Sequence, residues 1–290
     1  MIGTRIDMRI AAKIPPRAGL GFKLEHANDV LSNPPELGWF EVHPENYMVK
    51  GGPRLAILEQ LRENYPLSLH GVGQSLGGAD PLHAEHLDAF RRLVERLEPG
   101  LVSEHIAWSA HDGAYYADLL PTPFTKTALQ SLVAHVDQMQ SVLKRSILVE
   151  NPTHYLPLHE AEMDEITFLR ELTERAGCGL LIDVNNIHVS AHNLGNDPHA
   201  YIDALPVDLI GEIHIAGNIG DPGGELLIDS HSAPVADNVW TLLDRLLARS
   251  GPRPVLVEWD NDVPVWPVLY REAQRAESHL RVTGQLRQVA

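Results

Sequence analysis

Potential metal ligands recur along this 290-residue chain at the ends of short runs of apolar residues. These side chains are His43, His70, Glu104 with His105, Glu150, Asp183, His214 and Glu258. Imidazole and carboxylate ligands without thiolates suit zinc, iron or manganese better than calcium or magnesium, whose ligands are nearly all oxygens. A catalytic ion binds three or four protein ligands and keeps an open position. This number of ligands therefore predicts two or three ions, with a carboxylate such as Glu150 as a bridge.

Two local patterns refine the set of ligands. Asp229 and His231 are two residues apart in the segment DSH, so an extended backbone places both on one side, where they could hold one ion together. Glu104 and His105 are adjacent, and adjacent strand residues point to opposite faces. We expect His105 to enter the site and Glu104 to support it or a neighbouring helix.

Asn186 and His188 lie just past an apolar run, where the chain can turn inward. Either could be a further ligand, and the alternative that they bind no metal is equally open. The residues predicted to contact a substrate are His43, Asn46 and Asn151. The remaining histidines fall on predicted helices or polar loops and are expected at the surface, including His26, His83, His86, His135, His159, His199 and His279.

The elements that must position these residues alternate between strands and helices. Eight apolar runs predict strands at 19–24, 39–43, 67–72, 101–108, 147–151, 180–186, 209–216 and 254–260. Segments with helical periodicity lie between them, for example at 53–64, 83–97, 125–144 and 238–250. Near-continuous apolar strands indicate a parallel sheet buried on both faces, and eight repeats favour a (β/α)8 TIM barrel of the α/β class. Active sites of such barrels lie at the carboxyl ends of the strands, so the ligands should converge on one mouth.

Composition limits the classes of partner and compartment. The predicted single domain covers residues 1–290, with a core at about 19–280, a short arm before it and a polar tail after it. The 23 Lys and Arg residues against 39 Asp and Glu give a net charge of -16, which disfavours nucleic-acid binding. The chain has no membrane-length apolar stretch and no signal-peptide pattern, so we expect a cytoplasmic protein without a membrane partner. The single cysteine, Cys178, is expected to be a small buried side chain.

The segment GQSLG at 73–77 matches the G-x-S-x-G pattern of serine hydrolases. A nucleophile elbow needs a strand that turns directly into a helix at the serine, whereas Ser75 is followed by a glycine-rich loop. The chain contains neither G-x-G-x-x-G nor G-x-x-x-x-G-K-[ST]. Serine hydrolase, dinucleotide-binding and P-loop functions are therefore disfavoured, and the glycines are expected to let the backbone approach the mouth of the barrel.

Several longer motifs together resemble one known family. They are HPENYM (43–48), LHGVGQSLGG (69–78), SEHIAW (103–108), VENPTHY (149–155), DVNNIHVSAHNLG (183–195), EIHIAG (212–217), DSH (229–231) and VEWD (257–260). The chain resembles, over about residues 19–280, the multinuclear non-haem iron-dependent oxidative enzymes, a bacterial family formerly of unknown function that includes the methanobactin biosynthetic oxidase. This resemblance implies a xylose-isomerase-like barrel with two or three irons, as Fe(II) and Fe(III), and dioxygen as a co-substrate. It also implies oxidation of cysteine residues in a ribosomally made precursor peptide, with a separate partner protein that recognises the leader.

The resemblance also implies roles for individual residues. His70, His105 and Glu150 would bind one iron, with Glu150 as the bridge. The ligands of the other irons would be Asp183, His214, Asp229, His231 and Glu258, with Asn186 near a third position. His188 has no dependable counterpart in the family. The residues expected to take part in catalysis are His70, His105, Glu150, Asp183, His214 and Glu258.

Two other classes of function remain as alternatives. A metal-dependent hydrolase or sugar isomerase could use the same barrel and the same kind of ligands, as endonuclease IV and xylose isomerase do. The acidic composition argues against the nuclease, because phosphate contacts require Lys and Arg. A non-enzymatic metal-storage or scaffold protein is the second alternative, and oxygen consumption would distinguish the oxidative enzyme from it.

Overall fold

A computed structural model of the chain describes residues 14–289, and within them eight parallel strands close into a barrel. The barrel strands are Ala18–Gly21, Trp39–Val42, Leu67–Gly71, Leu101–His105, Leu148–Glu150, Gly179–Asp183, Ile210–Ala216 and Val255–Glu258. Each strand pairs with the next along the chain, and the last pairs with the first. The predicted (β/α)8 barrel is therefore confirmed.

The helices surround the barrel and pack on the outer faces of its strands. The α-helices are Ala27–Ser32, Pro53–Asn64, Ala84–Leu97, Lys126–Leu143, Glu165–Ala176, Val184–Leu194, Pro198–Ala204, Asp237–Ser250 and Trp266–Val289. The predicted polar tail after about residue 280 is instead the end of the last helix, and buried Leu280 and Thr283 explain why this helix continues. Much of the predicted N-terminal arm, residues 1–13, lies outside the described residues.

Two predicted strands end earlier than expected. The run at 101–108 divides after His105, and a separate hairpin begins at Ala107. Its strands, Ala107–His111 and Ala114–Pro121, are joined by Asp112 and Gly113, which both have positive φ, as tight hairpin turns require. The run at 180–186 ends at Asp183, and the helix Val184–Leu194 follows at once. Both changes occur at the barrel mouth, where the chain leaves the sheet.

The barrel interior is layered because alternate residues of each strand point inward. Its lowest layer is apolar and consists of Ile14, Trp39, Leu101, Leu148, Leu181 and Leu256. The next layer contains Glu41, Ser68, Ser103 and Glu212, which are 0–3% exposed. The predicted ligands at the strand ends form the layer above, next to the mouth. The closed lower layer thus leaves the mouth as the open end of the barrel.

Two of the seven histidines expected at the surface are buried, so that prediction is wrong for them. His135 is 9% exposed, and its Nδ1 lies 2.9 Å from the carbonyl oxygen of Leu76. His26 is 6% exposed and packs against the ring of Trp266, with 5.7 Å between ring centroids. Both occupy helix faces that turn toward the core.

Two potentially reactive side chains, those of Cys178 and Ser75, lie in the core and in a loop. Cys178 is fully buried, as predicted, and burial raises the pKa of its thiol to about 12. Ser75 has φ 57° in the loop between Gly71 and Ala84, and its Oγ accepts hydrogen bonds from the amides of Ser109 and Ala110. Ser75 therefore braces the hairpin rather than forming a nucleophile elbow. None of the helices within residues 14–289 is both long and apolar enough to cross a membrane.

Candidate metal centre

His70, His105 and Glu150 meet at the ends of three adjacent barrel strands. Oε2 of Glu150 lies 3.1 Å from Nε2 of His70 and 3.1 Å from Nε2 of His105. The two Nε2 atoms are 3.3 Å apart. Ligand atoms that bind one ion at about 2.1 Å are about 3.0–3.4 Å from each other. The three side chains thus have the spacing of ligands around a single cation.

The opposite ring atoms of these histidines are held by the barrel. Nδ1 of His105 lies 3.0 Å from the carbonyl oxygen of Gly71, which can only accept, so Nδ1 carries the proton and Nε2 presents a lone pair. Nδ1 of His70 lies 2.8 Å from Oγ of Ser103. Glu104 points away from the interior, and its Oε1 accepts a hydrogen bond of 3.1 Å from the amide of His105. His105 therefore enters the site while Glu104 braces its backbone.

A second group forms around His214, which is fully buried on the seventh strand. Its Nδ1 lies 3.1 Å from Oε2 of Glu258, and its Nε2 lies 3.3 Å from Oε1 of Glu41 and 3.5 Å from Oε1 of Glu212. His70, His214 and Glu258 also offer ligand atoms within 4.8 Å of one another. The sequence analysis missed Glu41 and Glu212. Their position two residues before His43 and His214 could have revealed them, because such residues share a strand face.

The loop after the seventh strand supplies a third group. Nε2 of His231 lies 2.8 Å from Oδ1 of Asp229, and its Nδ1 lies 3.2 Å from Oδ2 of Asp260. His231 has φ 47°, so the segment is not extended as the sequence analysis assumed. The two side chains nevertheless meet. Asp260, which the sequence analysis also missed, pairs with Lys23 and lies 3.8 Å from Nε2 of His43.

Asp183 and Asn186 close the group around Glu150. Asp183 caps the helix Val184–Leu194, because its Oδ1 accepts a 2.8 Å hydrogen bond from the amide of Asn186. Its Oδ2 is buried without a hydrogen-bond partner. Asn186 donates from Nδ2 to Oε1 of Glu150 over 3.2 Å and accepts at Oδ1 from Thr153. Both side chains therefore face the site, with Asn186 hydrogen bonded to the carboxylate between the two histidines.

The side chains of His188 and Asn151 lie outside the three groups of ligand atoms. His188 faces the opposite side of its helix, in a surface groove with Asn196 and Thr241. Asn151 is 1% exposed, and both its polar groups bind the backbone of Asp183, at 3.1 Å from the carbonyl and 2.8 Å from the amide. The structure thus places His188 apart from the grouped ligand atoms, and it shows that the Asn151 side chain connects two neighbouring strands.

Burial and mutual repulsion perturb the carboxylates of the centre. Burial raises the pKa of Asp183 to about 8, and the charges of Glu150 and Asp229 add to this effect. Burial opposes ionisation of Glu150, but the charges of His105 and His70 outweigh it and hold its pKa well below the usual range. For His105, the Glu150 charge overcomes burial and raises the pKa to about 10. A bound cation would stabilise these carboxylates in their charged form.

The raised pKa of Asp183 predicts how the metal-free protein responds to pH. Between pH 4 and 8 the folded chain keeps a proton that the unfolded chain has lost, so Asp183 reduces stability progressively as pH rises through this window. Asp183→Asn lacks this titration and keeps an acceptor for the helix cap. We therefore expect the melting temperature of the variant minus that of the wild type to increase by about 4 °C or more between pH 4 and pH 8.

Calorimetry of the metal-free proteins at several pH values checks this expectation. The difference should level off above about pH 8. It should disappear when a divalent cation is bound, because the cation stabilises the ionised carboxylate. A pH-independent difference in the metal-free proteins would contradict the assignment.

A cavity of about 560 Å³ opens above the three groups. Its floor includes His105, Glu150, Asn186, Asp229 and His231, and one wall is the hairpin segment 118–121. His43 and Asn46 line this cavity and also a smaller adjoining one of about 260 Å³. These two predicted substrate contacts therefore lie at the opening, within reach of a molecule that approaches the floor.

The donor set of the floor fits a transition metal. Several buried polar atoms at or just below the floor have no hydrogen-bond partner, among them Oε2 of Glu150, Oδ2 of Asp183 and Nε2 of His231. Buried polar groups are almost always satisfied, so such a concentration indicates that something else binds them. Mixed nitrogen and oxygen donors suit iron, zinc or manganese.

Comparisons with known structures show the architecture. A D-psicose 3-epimerase from Clostridium cellulolyticum matches with a TM-score of 0.61 at 12% identity, covering 92% of this chain and 99% of that chain. Endonuclease IV from Thermus thermophilus matches with a TM-score of 0.59 at 16% identity, covering 92% and 98%. A xylose isomerase domain protein from Alicyclobacillus acidocaldarius matches with a TM-score of 0.55 at 16% identity, covering 93% and 98%. At these identities the likeness shows the fold alone, which is the predicted xylose-isomerase-like barrel.

Comparisons with known sequences show the family. A UPF0276 protein of Caulobacter vibrioides is 55% identical over 262 residues, 90% of this chain and 94% of that protein. UPF0276 protein RB0508 of Rhizobium meliloti is 50% identical over 264 residues, covering 90% and 85%. A family model described as RiPP precursor modification enzyme MbnB/TglH/ChrH matches residues 17–281. RiPPs are ribosomally made peptides that are modified after translation. The family resemblance of the motifs is confirmed, and the chain belongs to the MbnB/TglH/ChrH family of RiPP precursor modification enzymes.

Proposed function

We propose that this protein uses iron and dioxygen to oxidise cysteine residues of a precursor peptide. The observation that carries the proposal is the meeting of His70, His105 and Glu150, with mutual separations of 3.1–3.3 Å, below a cavity of about 560 Å³ that His105 and Glu150 line. Membership of a family of RiPP precursor modification enzymes supports a peptide as the substrate. Iron is chosen among the metals that fit because oxidation of a thiol by dioxygen needs a redox-active ion, which zinc is not.

The residues that would hold the ions follow from the three groups. We assign His70, His105 and Glu150 to one iron, with Glu150 as the carboxylate able to bridge. The assigned ligands of the other irons are Asp183, His214, Asp229, His231 and Glu258. Asn186 lies beside them, hydrogen bonded to Glu150. Bound iron supplies one-electron chemistry with dioxygen and positive charge that lowers the pKa of a substrate thiol.

The surrounding residues would orient the peptide and keep water out. The hairpin segment 118–121 forms an upper wall of the cavity with Leu119, Leu120 and Pro121. Tyr155 stands on the same rim, and its hydroxyl accepts a 3.1 Å hydrogen bond from the amide of Asp229. We propose that His43 and Asn46 contact the peptide, because they also line the cavity.

Exposed apolar side chains support a peptide or protein partner at the mouth. Among the described residues, the large exposed apolar side chains are Leu24, Val49, Tyr115, Tyr116, Leu119, Tyr155, Leu156, Ile219, Val265 and Val282. All except Val282 follow the carboxyl ends of barrel strands, on the face that carries the cavity. Clustered exposed apolar residues mark interaction surfaces. We propose that this face receives the precursor peptide and a separate protein that recognises its leader.

Elemental analysis and oxygen uptake test the proposal directly. Protein purified without oxygen is expected to contain two or three irons per chain. It should consume oxygen only when a precursor peptide encoded beside its gene is added. Mass spectrometry should place the modification on a cysteine, and the same peptide with that cysteine replaced by serine should give no uptake.

The same experiment would reveal the competing class of function. Stoichiometric zinc, no oxygen uptake and an unmodified peptide would contradict the oxidative function. That result would favour a hydrolase or isomerase on this barrel.

A further inference from the structure

Two carboxylates lie in the barrel interior directly below the proposed metal centre. Glu41 and Glu212 project from the second and seventh strands and are 3% and 0% exposed. The hydroxyl of Ser68 donates to Oε2 of Glu212 over 3.3 Å. Oε2 of Glu41 and Oε1 of Glu212 have no hydrogen-bond partner. Burying two carboxylates costs desolvation free energy, so we expect both to have a specific role inside the barrel.

Both carboxylates face the same side of one imidazole. Nε2 of His214 lies 3.3 Å from Oε1 of Glu41 and 3.5 Å from Oε1 of Glu212. On the other side of the ring, Nδ1 lies 3.1 Å from Oε2 of Glu258, next to the cavity floor. His214 therefore stands between the interior carboxylates and the proposed metal ligands.

The other histidines of the centre have the same two-sided arrangement. One ring nitrogen of each faces the site, and the other meets a fixed polar atom. These atoms are Oγ of Ser103 for His70, the Gly71 carbonyl for His105 and Oδ2 of Asp260 for His231. In His214 the ring is reversed, because Nδ1 instead of Nε2 faces the site. Outer partners of this kind fix the tautomer and the ring orientation of metal-binding histidines.

We propose that Glu41 and Glu212 are positioning residues that accept the Nε2 proton of His214, so that its Nδ1 lone pair faces Glu258 and the metal. The inference rests on the proposed metal centre but not on iron or on oxidation. A carboxylate partner on Nε2 also strengthens His214 as a donor to the metal. The alternative is that Nε2 binds a cation lying between the two carboxylates.

Zinc binding to the full-length protein tests this role, because zinc is diamagnetic and needs no oxygen. The variant is Glu41→Gln with Glu212→Gln. Its matched control is Glu165→Gln. Glu165 begins an outer helix, and its Oε2 lies 3.2 Å from Nε2 of His154. Zinc affinity is measured by competition with a chelator. Nitrogen-15 NMR of the zinc-loaded wild type shows which ring nitrogen of His214 carries the proton, and the His214 signals are assigned by their loss in His214→Asn.

We expect His214 of the wild type to bind zinc through Nδ1 and to carry its proton on Nε2. The double variant should bind one zinc about 10- to 100-fold more weakly, as is typical when an outer partner of a ligand is lost. The control should retain wild-type affinity. The metal-free double variant should remain folded, because glutamine keeps the size and shape of each side chain.

Three results would overturn the inference. Unchanged zinc affinity of the double variant would show that the two carboxylates do not position His214. Zinc bound to Nε2 of His214 would make them metal ligands. If the wild type bound no zinc at all, the metal centre itself would be refuted. That result would count against the proposed function and not only against the role of the two carboxylates.

Discussion

Replacing Glu150 with Gln is expected to release bound iron and to abolish peptide oxidation. Oε2 of Glu150 is 3.1 Å from Nε2 of both His70 and His105, so it is the shared anionic member of their group. Gln keeps the shape of the side chain but lacks the charge that offsets a cation in a buried site. Loss of an outer-shell partner costs about 10- to 100-fold in affinity, and loss of this central carboxylate should exceed about 100-fold. Iron content and peptide-dependent oxygen uptake measure the effect.

The matched control for this substitution is Glu272→Gln. Glu272 is half-buried and also has one unpartnered oxygen, but it belongs to the last helix and does not line the cavity. This control should keep both its iron and its activity. Glu150→Gln protein that retained full iron content and full activity would refute the assignment of Glu150.

Replacing Gly217 with Ala is expected to reduce peptide oxidation by about 100-fold, although Gly217 contributes no side chain to the site. A Cβ at this position would overlap the carbonyl oxygen of Ala233 and would lie 2.9 Å from that of Pro234. The Gly217 carbonyl also accepts a 3.0 Å hydrogen bond from the amide of His231. The loop carrying Asp229 and His231 must therefore shift. A displacement of about 1 Å at a catalytic centre can cost about 100-fold in rate.

Gly220→Ala is the control in the same loop, because a Cβ at Gly220 would meet no atom within 4 Å. This variant should behave as the wild type in oxygen uptake and iron content. In Gly217→Ala the iron held by Asp229 and His231 should be lost before that held by His70 and His105. Equal activity of the two variants would show that this loop does not position ligands.

The barrel and the convergence of its ligands follow from simple periodicities. Apolar runs separated by helical segments predicted eight parallel strands, and all eight are present within residues 14–289. Parallel strands of a barrel end at one rim, so residues at their ends meet without any knowledge of loops. His70, His105, Glu150, His214 and Glu258 were placed together on this ground alone, and the distances agree.

The sequence analysis failed where a strand changes into a helix. Asp183 caps the helix Val184–Leu194, and residues two apart on a helix differ by about 200°. Asn186 therefore turns toward Glu150 while His188 turns to the outer surface, whereas an extended chain would have placed both on one side. Burial of His26 and His135 was missed for a related reason, since the type of a helical residue does not say which face packs on the core.

The sequence by itself determined the barrel, the chemistry of its ligands and the edge at which they gather, because these depend on local periodicity and on strand direction. The tertiary structure alone decided which atoms of those ligands face each other. It showed that Glu41 and Glu212 meet His214, and that Asp260 meets His231 and Lys23. Such contacts join strands and loops that are far apart in the chain. Their distances depend on barrel closure and on side-chain rotamers, which no local pattern contains.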